Sequence, residues 1–128
     1  MDILLVDDEA RVRSALWLLL RQHADLSVVG EAEDVSQALS LIAMRQPDVL
    51  ILDWDLLGDN GKRVTILQQM RAICPGLQVI ALSLRPEARA IALKDGADIF
   101  VHKGDTPDRL VEILESLAPA LQSYLHNA

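Results

Sequence analysis

The chain has 128 residues, a length that fits one domain able to bury roughly two thirds of the surface its unfolded form exposes. It carries 12 basic and 19 acidic residues, a formal net charge of −7 with no Lys/Arg cluster, which argues against direct nucleic-acid binding by this chain. Cys74 is the only cysteine, which excludes an internal disulfide and a cysteine-based zinc site. The first residues include Asp2 rather than a basic n-region, and no apolar run approaches the roughly 20 residues of a membrane span. We therefore expect a soluble, cytoplasmic protein without a membrane partner.

Short apolar runs alternate with helical patterns along the chain. The runs are continuous, as is typical of strands covered on both faces. We expect these strands at residues 3–6, 26–30, 49–52, 77–82 and 99–101.

Each strand is followed by a segment with helical spacing or helix-boundary residues. Val12, Ala15, Leu16 and Leu19 recur at i, i+3, i+4 and i+7 in the first segment. The later segments carry capping or terminating residues. These are Asp34 with Gln37 at the start of the second helix, Pro75-Gly76 after the third, Pro86 and Gly96 around the fourth, and Thr106-Pro107 at the start of the fifth.

Five consecutive strand–helix units predict a parallel sheet with right-handed crossovers and helices on both faces. Five strands are too few for a closed barrel. The predicted fold class is therefore α/β, a doubly wound (βα)5 domain with an open sheet, in which ligands bind at the carboxyl ends of the strands.

Polar side chains follow four of the predicted strands: Asp7 and Asp8 the first, Asp53 the third, Ser83 the fourth and Lys103 the fifth. Clustered carboxylates without His or Cys suit Mg²⁺ or Mn²⁺. The hydroxyl and the ammonium suit a phosphoryl group, and one carboxylate can be a nucleophile that forms an aspartyl phosphate. Each residue alone has an ordinary explanation as a cap, turn or surface residue. Together on one rim, they predict a metal-assisted phosphoryl site.

The sequence resembles the receiver domains of two-component response regulators over residues 1–118, which leaves 119–128 as a C-terminal tail or the start of a linker. The stretches DLSVVGEAED and KDGAD are further similar to receivers that precede LuxR-type DNA-binding domains. The resemblance implies a flavodoxin-like sheet in the order 2-1-3-4-5. It rests on the acidic pair Asp7-Asp8, on Asp53 with Asp55 two residues later, on Ser83, on Lys103 and on Phe100 three residues before that lysine.

The resemblance implies a Mg²⁺-dependent signalling switch in which Asp53 accepts a phosphoryl group from a sensor histidine kinase or phosphotransfer protein. The implied metal ligands are Asp7, Asp8, Asp53 and the backbone carbonyl of Asp55, with Mn²⁺ as an alternative ion. Lys103 would stabilise the transferred charge. Such a domain is regulatory rather than an enzyme, although it assists its own phosphorylation and dephosphorylation.

Ser83 and Phe100 are implied to form the switch that remodels the face made by the fourth helix, the fifth strand and the fifth helix. Trp54, beside the acceptor, is expected to line the site. The implied partners include a second copy of the chain and a DNA-binding domain in a longer parent protein.

Several positions depart from the family pattern. Leu56-Leu57 stand where Met-Pro is usual, Leu84 where a small residue is usual and Gly104 where proline is common, and the stretch 83–96 is short. Leu84 and the short stretch keep open an adaptor that binds partners without phosphorylation. The Asp-Trp-Asp motif at 53–55 also resembles that of haloacid-dehalogenase-type phosphohydrolases, although there it follows the first strand.

Overall fold

The computed structural model describes residues 1–58, 61–105 and 107–127, with side chains up to Leu117. Within this part of the chain, five parallel strands form one sheet in the order β2-β1-β3-β4-β5. The strands are Asp2–Val6 (β1), Ser27–Ala32 (β2), Val49–Asp53 (β3), Gln78–Ser83 (β4) and Ile99–His102 (β5). The α/β fold class and the order 2-1-3-4-5 are therefore confirmed.

Helices follow each strand as predicted. They are Ala10–Leu20 (α1), Val35–Arg45 (α2), Arg63–Ile73 (α3), Ala88–Asp95 (α4) and Pro107–Asn127 (α5). A short 3₁₀ helix, Trp54–Leu57, was not predicted, and it starts where the Asp53 carboxylate accepts the Asp55 N–H at 3.1 Å. Thr106, the predicted N-cap of α5, lies outside the described residues.

The cap of α2 matches its prediction in one of two bonds. The Asp34 carboxylate accepts the Gln37 N–H at 2.8 Å, which satisfies a free donor of the first turn. The Gln37 side chain, however, accepts from the N–H of Glu33 at 3.0 Å, one residue before the cap.

Alternate residues of the central strands enter two separate cores, one on each face of the sheet. Leu50 and Leu52 of β3 pack with α2, α3 and α4, whereas Val49 and Ile51 pack with α1 and α5. Strand β3 is buried throughout, which explains why its sequence is a continuous apolar run. Cys74 is buried in the first core, as expected of a structural thiol.

Neighbouring strands determine where the polar rim forms. Strands β1 and β3 pair with Val6 beside Leu52, so the residues that come next, Asp7 and Asp53, emerge side by side. Strand β4 pairs with β5 so that Ser83 lies beside His102. No helix in the described ranges is both long enough and apolar enough to cross a bilayer.

Candidate functional site

Three carboxylates meet at the carboxyl ends of β1 and β3. Asp7 and Asp53 are 2% and 5% exposed, and Asp8 is exposed at the rim. One carboxylate oxygen from each lies within 4.8 Å of the others. The sheet therefore brings together the three side chains that the sequence assigned to one cluster.

Lys103 reaches this cluster from the end of β5. Its Nζ lies 2.9 Å from Oδ2 of Asp7 and 3.4 Å from Oδ2 of Asp53. Burial lowers the pKa of Lys103, but the hydrogen bonds and charges of Asp7 and Asp53 outweigh it, so the pKa is raised above its ordinary value of 10.5. The ammonium therefore stays charged at neutral pH and neutralises part of the acidic cluster.

The Asp53 carboxylate has a raised pKa. Burial raises the pKa of Asp53 from 3.8 to about 6; Asp7 adds to the rise, and Lys103 and the Asp55 N–H oppose it. Three carboxylates thus face one ammonium, and the excess negative charge favours a further cation. The donors are all oxygen atoms, which fits Mg²⁺ or Mn²⁺ better than zinc.

The loop after β1 is held by contacts that orient Asp7. Its Oδ1 accepts the N–H of Glu9 at 2.9 Å, and its backbone carbonyl accepts from Nη1 of Arg13 at 2.6 Å. Arg13 also lies 3.3 Å from a carboxylate oxygen of Glu31 on β2. Sequence reasoning missed Arg13, because its role depends on the direction in which α1 leaves the sheet.

Ser83 lies in a second polar group beside the acidic cluster. Its buried hydroxyl is 3.2 Å from Oδ2 and 3.3 Å from Oδ1 of Asp55, and it accepts the N–H of Arg85 at 3.1 Å. The Arg85 guanidinium donates to Oδ1 of Asp55 at 2.8 and 3.1 Å. Asp55 was predicted to contribute its backbone carbonyl; its side-chain role and Arg85 were both missed.

The remaining predicted residues lie at the edges of the site. Phe100 is half-buried against the first core, and Leu84 is 64% exposed beside Ser83. The Trp54 indole is only 1% exposed and packs in the first core, because the 3₁₀ helix turns it inward. The expectation that Trp54 lines the site is therefore wrong.

Comparison with known proteins adds to this geometry. Residues 3–115 match the family model described as the response regulator receiver domain. The chain is 31% identical over 116 residues to the nitrate/nitrite response regulator protein NarL of Escherichia coli strain K12, across 91% of this chain and 54% of NarL. The chain spans about half the length of the curated relatives it matches.

Two solved structures are similar at 27% identity. A LuxR-family two-component response regulator from Aurantimonas sp. SI85-9A1 gives a TM-score of 0.79 over 93% of this chain and 85% of that one. The isolated REC domain of RcsB from Salmonella enterica serovar Typhimurium, in the presence of the phosphomimetic BeF3-, gives 0.78 over 91% and 87%. With the sheet order and the acidic rim described above, the family match shows that this chain belongs to the receiver domains of two-component response regulators.

Proposed function

We propose that this domain is a signalling switch that accepts a phosphoryl group on Asp53. The observation that carries the proposal is the buried Asp53 carboxylate, with its raised pKa, 3.4 Å from the Lys103 ammonium. A pKa of about 6 leaves the group ionised at neutral pH and makes it more basic than an ordinary aspartate, which favours nucleophilic attack.

The transfer is an in-line displacement at phosphorus. An Asp53 oxygen forms the new O–P bond while the bond from phosphorus to the donor's nitrogen or oxygen breaks, and the leaving group keeps the electron pair. A histidine nitrogen then takes a proton from water, whereas acetate leaves as the anion. Lys103 is held within reach of the charge that moves onto the Asp53 side, so catalysis is mostly positioning and electrostatics. Water later attacks the phosphorus of the acyl phosphate, the bond from phosphorus to the Asp53 oxygen breaks, and inorganic phosphate leaves as Asp53 returns to its carboxylate form.

Asp7, Asp8 and Asp53, with the backbone carbonyl of Asp55, are the residues proposed to hold Mg²⁺, with Mn²⁺ as the alternative. When bound, the ion would neutralise charge on the phosphoryl oxygens. Asp8 is exposed and free to turn toward a cation. Asp7 is oriented by Glu9 and Arg13, so its oxygens need little rearrangement.

Ser83 and Phe100 are proposed as the switch. The Ser83 hydroxyl now contacts Asp55, so donation to a phosphoryl oxygen on Asp53 requires it to exchange one acceptor for another. That movement would open space for Phe100 to turn inward and remodel the face made by α4, β5 and α5. We propose that the altered face binds the partners that receive the signal, including a second copy of the chain.

The proposed phosphodonor is a sensor histidine kinase or a phosphotransfer protein in the cytoplasm. Residues 1–118 are the proposed receiver, and 119–128 are proposed as a tail or the start of a linker. Because NarL is named as a response regulator and the chain matches about half of it, we propose that a longer parent protein could add a DNA-binding domain. The domain itself is regulatory in this proposal.

The test is intact-mass spectrometry after incubation with acetyl phosphate or phosphoramidate and Mg²⁺. We expect a labile gain of one phosphoryl group in the wild type, absent in Asp53→Asn and in EDTA, and retained in Glu112→Gln, which neutralises an exposed acid on α5. No adduct from either donor or from a phosphorylated histidine kinase, despite Mg²⁺ binding, would overturn the switch and favour the adaptor. Sustained release of phosphate from p-nitrophenyl phosphate would instead favour the phosphohydrolase.

A further inference from the structure

We propose that His102 is a positioning residue that holds the loops after β4 and β5 together and so sets the spacing between Ser83 and Lys103. The functional part of this inference rests on the proposed phosphoryl transfer, in which both residues act. His102 itself does not contact the carboxylate cluster in the described structure.

The imidazole of His102 makes one hydrogen bond to each loop. Its Nε2 lies 2.7 Å from the carbonyl oxygen of Leu84, and its Nδ1 lies 3.0 Å from the backbone nitrogen of Gly104. A backbone N–H can only donate, so Nδ1 must be the acceptor. The proton is therefore on Nε2, which donates to Leu84, and the ring is neutral in a single tautomer.

Both bonds lie directly beside the proposed functional residues. Leu84 follows Ser83 and Gly104 follows Lys103 along the chain. The Lys103 N–H also donates to the Ser83 carbonyl at 2.9 Å. The ring thus extends the connection between β4 and β5 beyond the Lys103–Ser83 backbone hydrogen bond.

Gly104 explains why the ring can take this position. A Cβ added to Gly104 would lie 2.9 Å from both Cε1 and Nδ1 of His102, closer than real contacts allow. Gly104 is not among the glycines with positive φ, so the requirement is for space rather than for backbone conformation. Proline, common in the family at this position, would also lack the N–H that Nδ1 accepts. Glycine in place of the family's usual proline at position 104 therefore provides both the space and the N–H that the His102 ring needs.

The ring also borders the proposed switch. His102 and Phe100 are two residues apart on β5, so they share a face of the strand, and both line a cavity of about 290 Å³ beside α4 and α5. Movement of the loop after Ser83 would change the bond to Leu84 and the environment of Phe100 together.

The test combines ring NMR with a double-mutant cycle. The ¹⁵N spectrum of the imidazole in the wild type at pH 7.5 is expected to show a protonated Nε2 and an unprotonated Nδ1. We expect His102→Leu and Gly104→Ala each to slow phosphorylation by acetyl phosphate with saturating Mg²⁺ by roughly tenfold, since small displacements of positioned groups have effects of this order. The double variant should be no slower than His102→Leu, because the added Cβ meets only the ring.

Recovery of the phosphorylation rate by a conservative variant distinguishes a positioning role of His102 from a general effect on stability. His102→Gln keeps a donor and an acceptor and is expected to recover most of the rate, whereas His23→Leu, at the opposite end of the sheet, should leave it unchanged. Additive effects in the cycle, a protonated Nδ1 or a wild-type rate in His102→Leu would overturn the inference. If neither the wild type nor any variant is phosphorylated, the proposed function fails. The role of His102 in joining the two loops is then tested by the ring spectrum and by the same double-mutant cycle measured on melting temperatures.

Discussion

Neutralising Asp53 is expected to stabilise the folded domain in the absence of a divalent cation. Burial and the charge of Asp7 raise the pKa of Asp53 from 3.8 to about 6. The folded state therefore favours the protonated form of Asp53, and the ionised Asp53 carboxylate destabilises the folded state. A rise in the pKa of Asp53 from 3.8 to about 6 corresponds to a cost of about 3 kcal/mol at pH 8, since a tenfold change in an acid dissociation constant is worth about 1.4 kcal/mol.

Asp53→Asn removes this charge with little change in shape. An amide oxygen can still accept the Asp55 N–H, and Lys103 keeps its contact with Asp7 at 2.9 Å. At pH 8 in EDTA we expect the free energy of unfolding to rise by about 3 kcal/mol and the melting temperature by roughly 10 °C. Thermal and urea unfolding followed by circular dichroism measure both.

The sign of the pH dependence provides a second check. A raised acid pKa gives a penalty that is complete above about pH 6 and disappears as the pH falls toward 3.8, because protonated Asp53 costs nothing. The gap between wild type and variant should therefore shrink between pH 7 and pH 4.5. Glu112→Gln, which neutralises an exposed carboxylate, should change the free energy of unfolding by less than about 0.5 kcal/mol. An Asp53→Asn variant no more stable than wild type at pH 8, or a gap independent of pH, would show that ionised Asp53 does not destabilise the folded domain.

Three further predictions concern the site and its support. Mg²⁺ at 100 times its dissociation constant should stabilise the wild type by about 2.7 kcal/mol, and Asp8→Asn less, in a thermal-shift titration; equal stabilisation would exclude Asp8 as a ligand. Arg85→Ala should change stability by less than about 1 kcal/mol, since its pair with Asp55 is exposed, yet alter the phosphorylation rate measured by intact mass. Asp98→Ala should cost about 1–3 kcal/mol in urea unfolding, because the Asp98 carboxylate accepts the Val79 N–H at 2.8 Å and pairs with Arg71 at 2.7 Å; an unchanged midpoint would contradict this.

The architecture and the residues of the acidic rim could be predicted from the sequence. Continuous apolar runs separated by helical spacing allow only a sheet covered on both faces, and the observed strands lie within two residues of the predicted ones. Because the carboxyl ends of parallel strands share one edge of the sheet, the residues that directly follow the strands lie close together regardless of loop conformation. Asp7, Asp8, Asp53 and Lys103 could therefore be grouped from their positions alone.

The contacts between loops could not be predicted from the sequence, because they depend on how the chain packs in three dimensions. The Asp55–Ser83–Arg85 group and the bonds of His102 join residues from separate loops, whose paths no periodic pattern specifies. Trp54 was placed wrongly for a related reason: a short 3₁₀ helix has no strong sequence signal, and it decides which way the indole points. Hydrogen-bonded strands constrain backbone direction through a repeating geometry, whereas loop side chains depend on distances of a few tenths of an ångström that only the packed fold supplies.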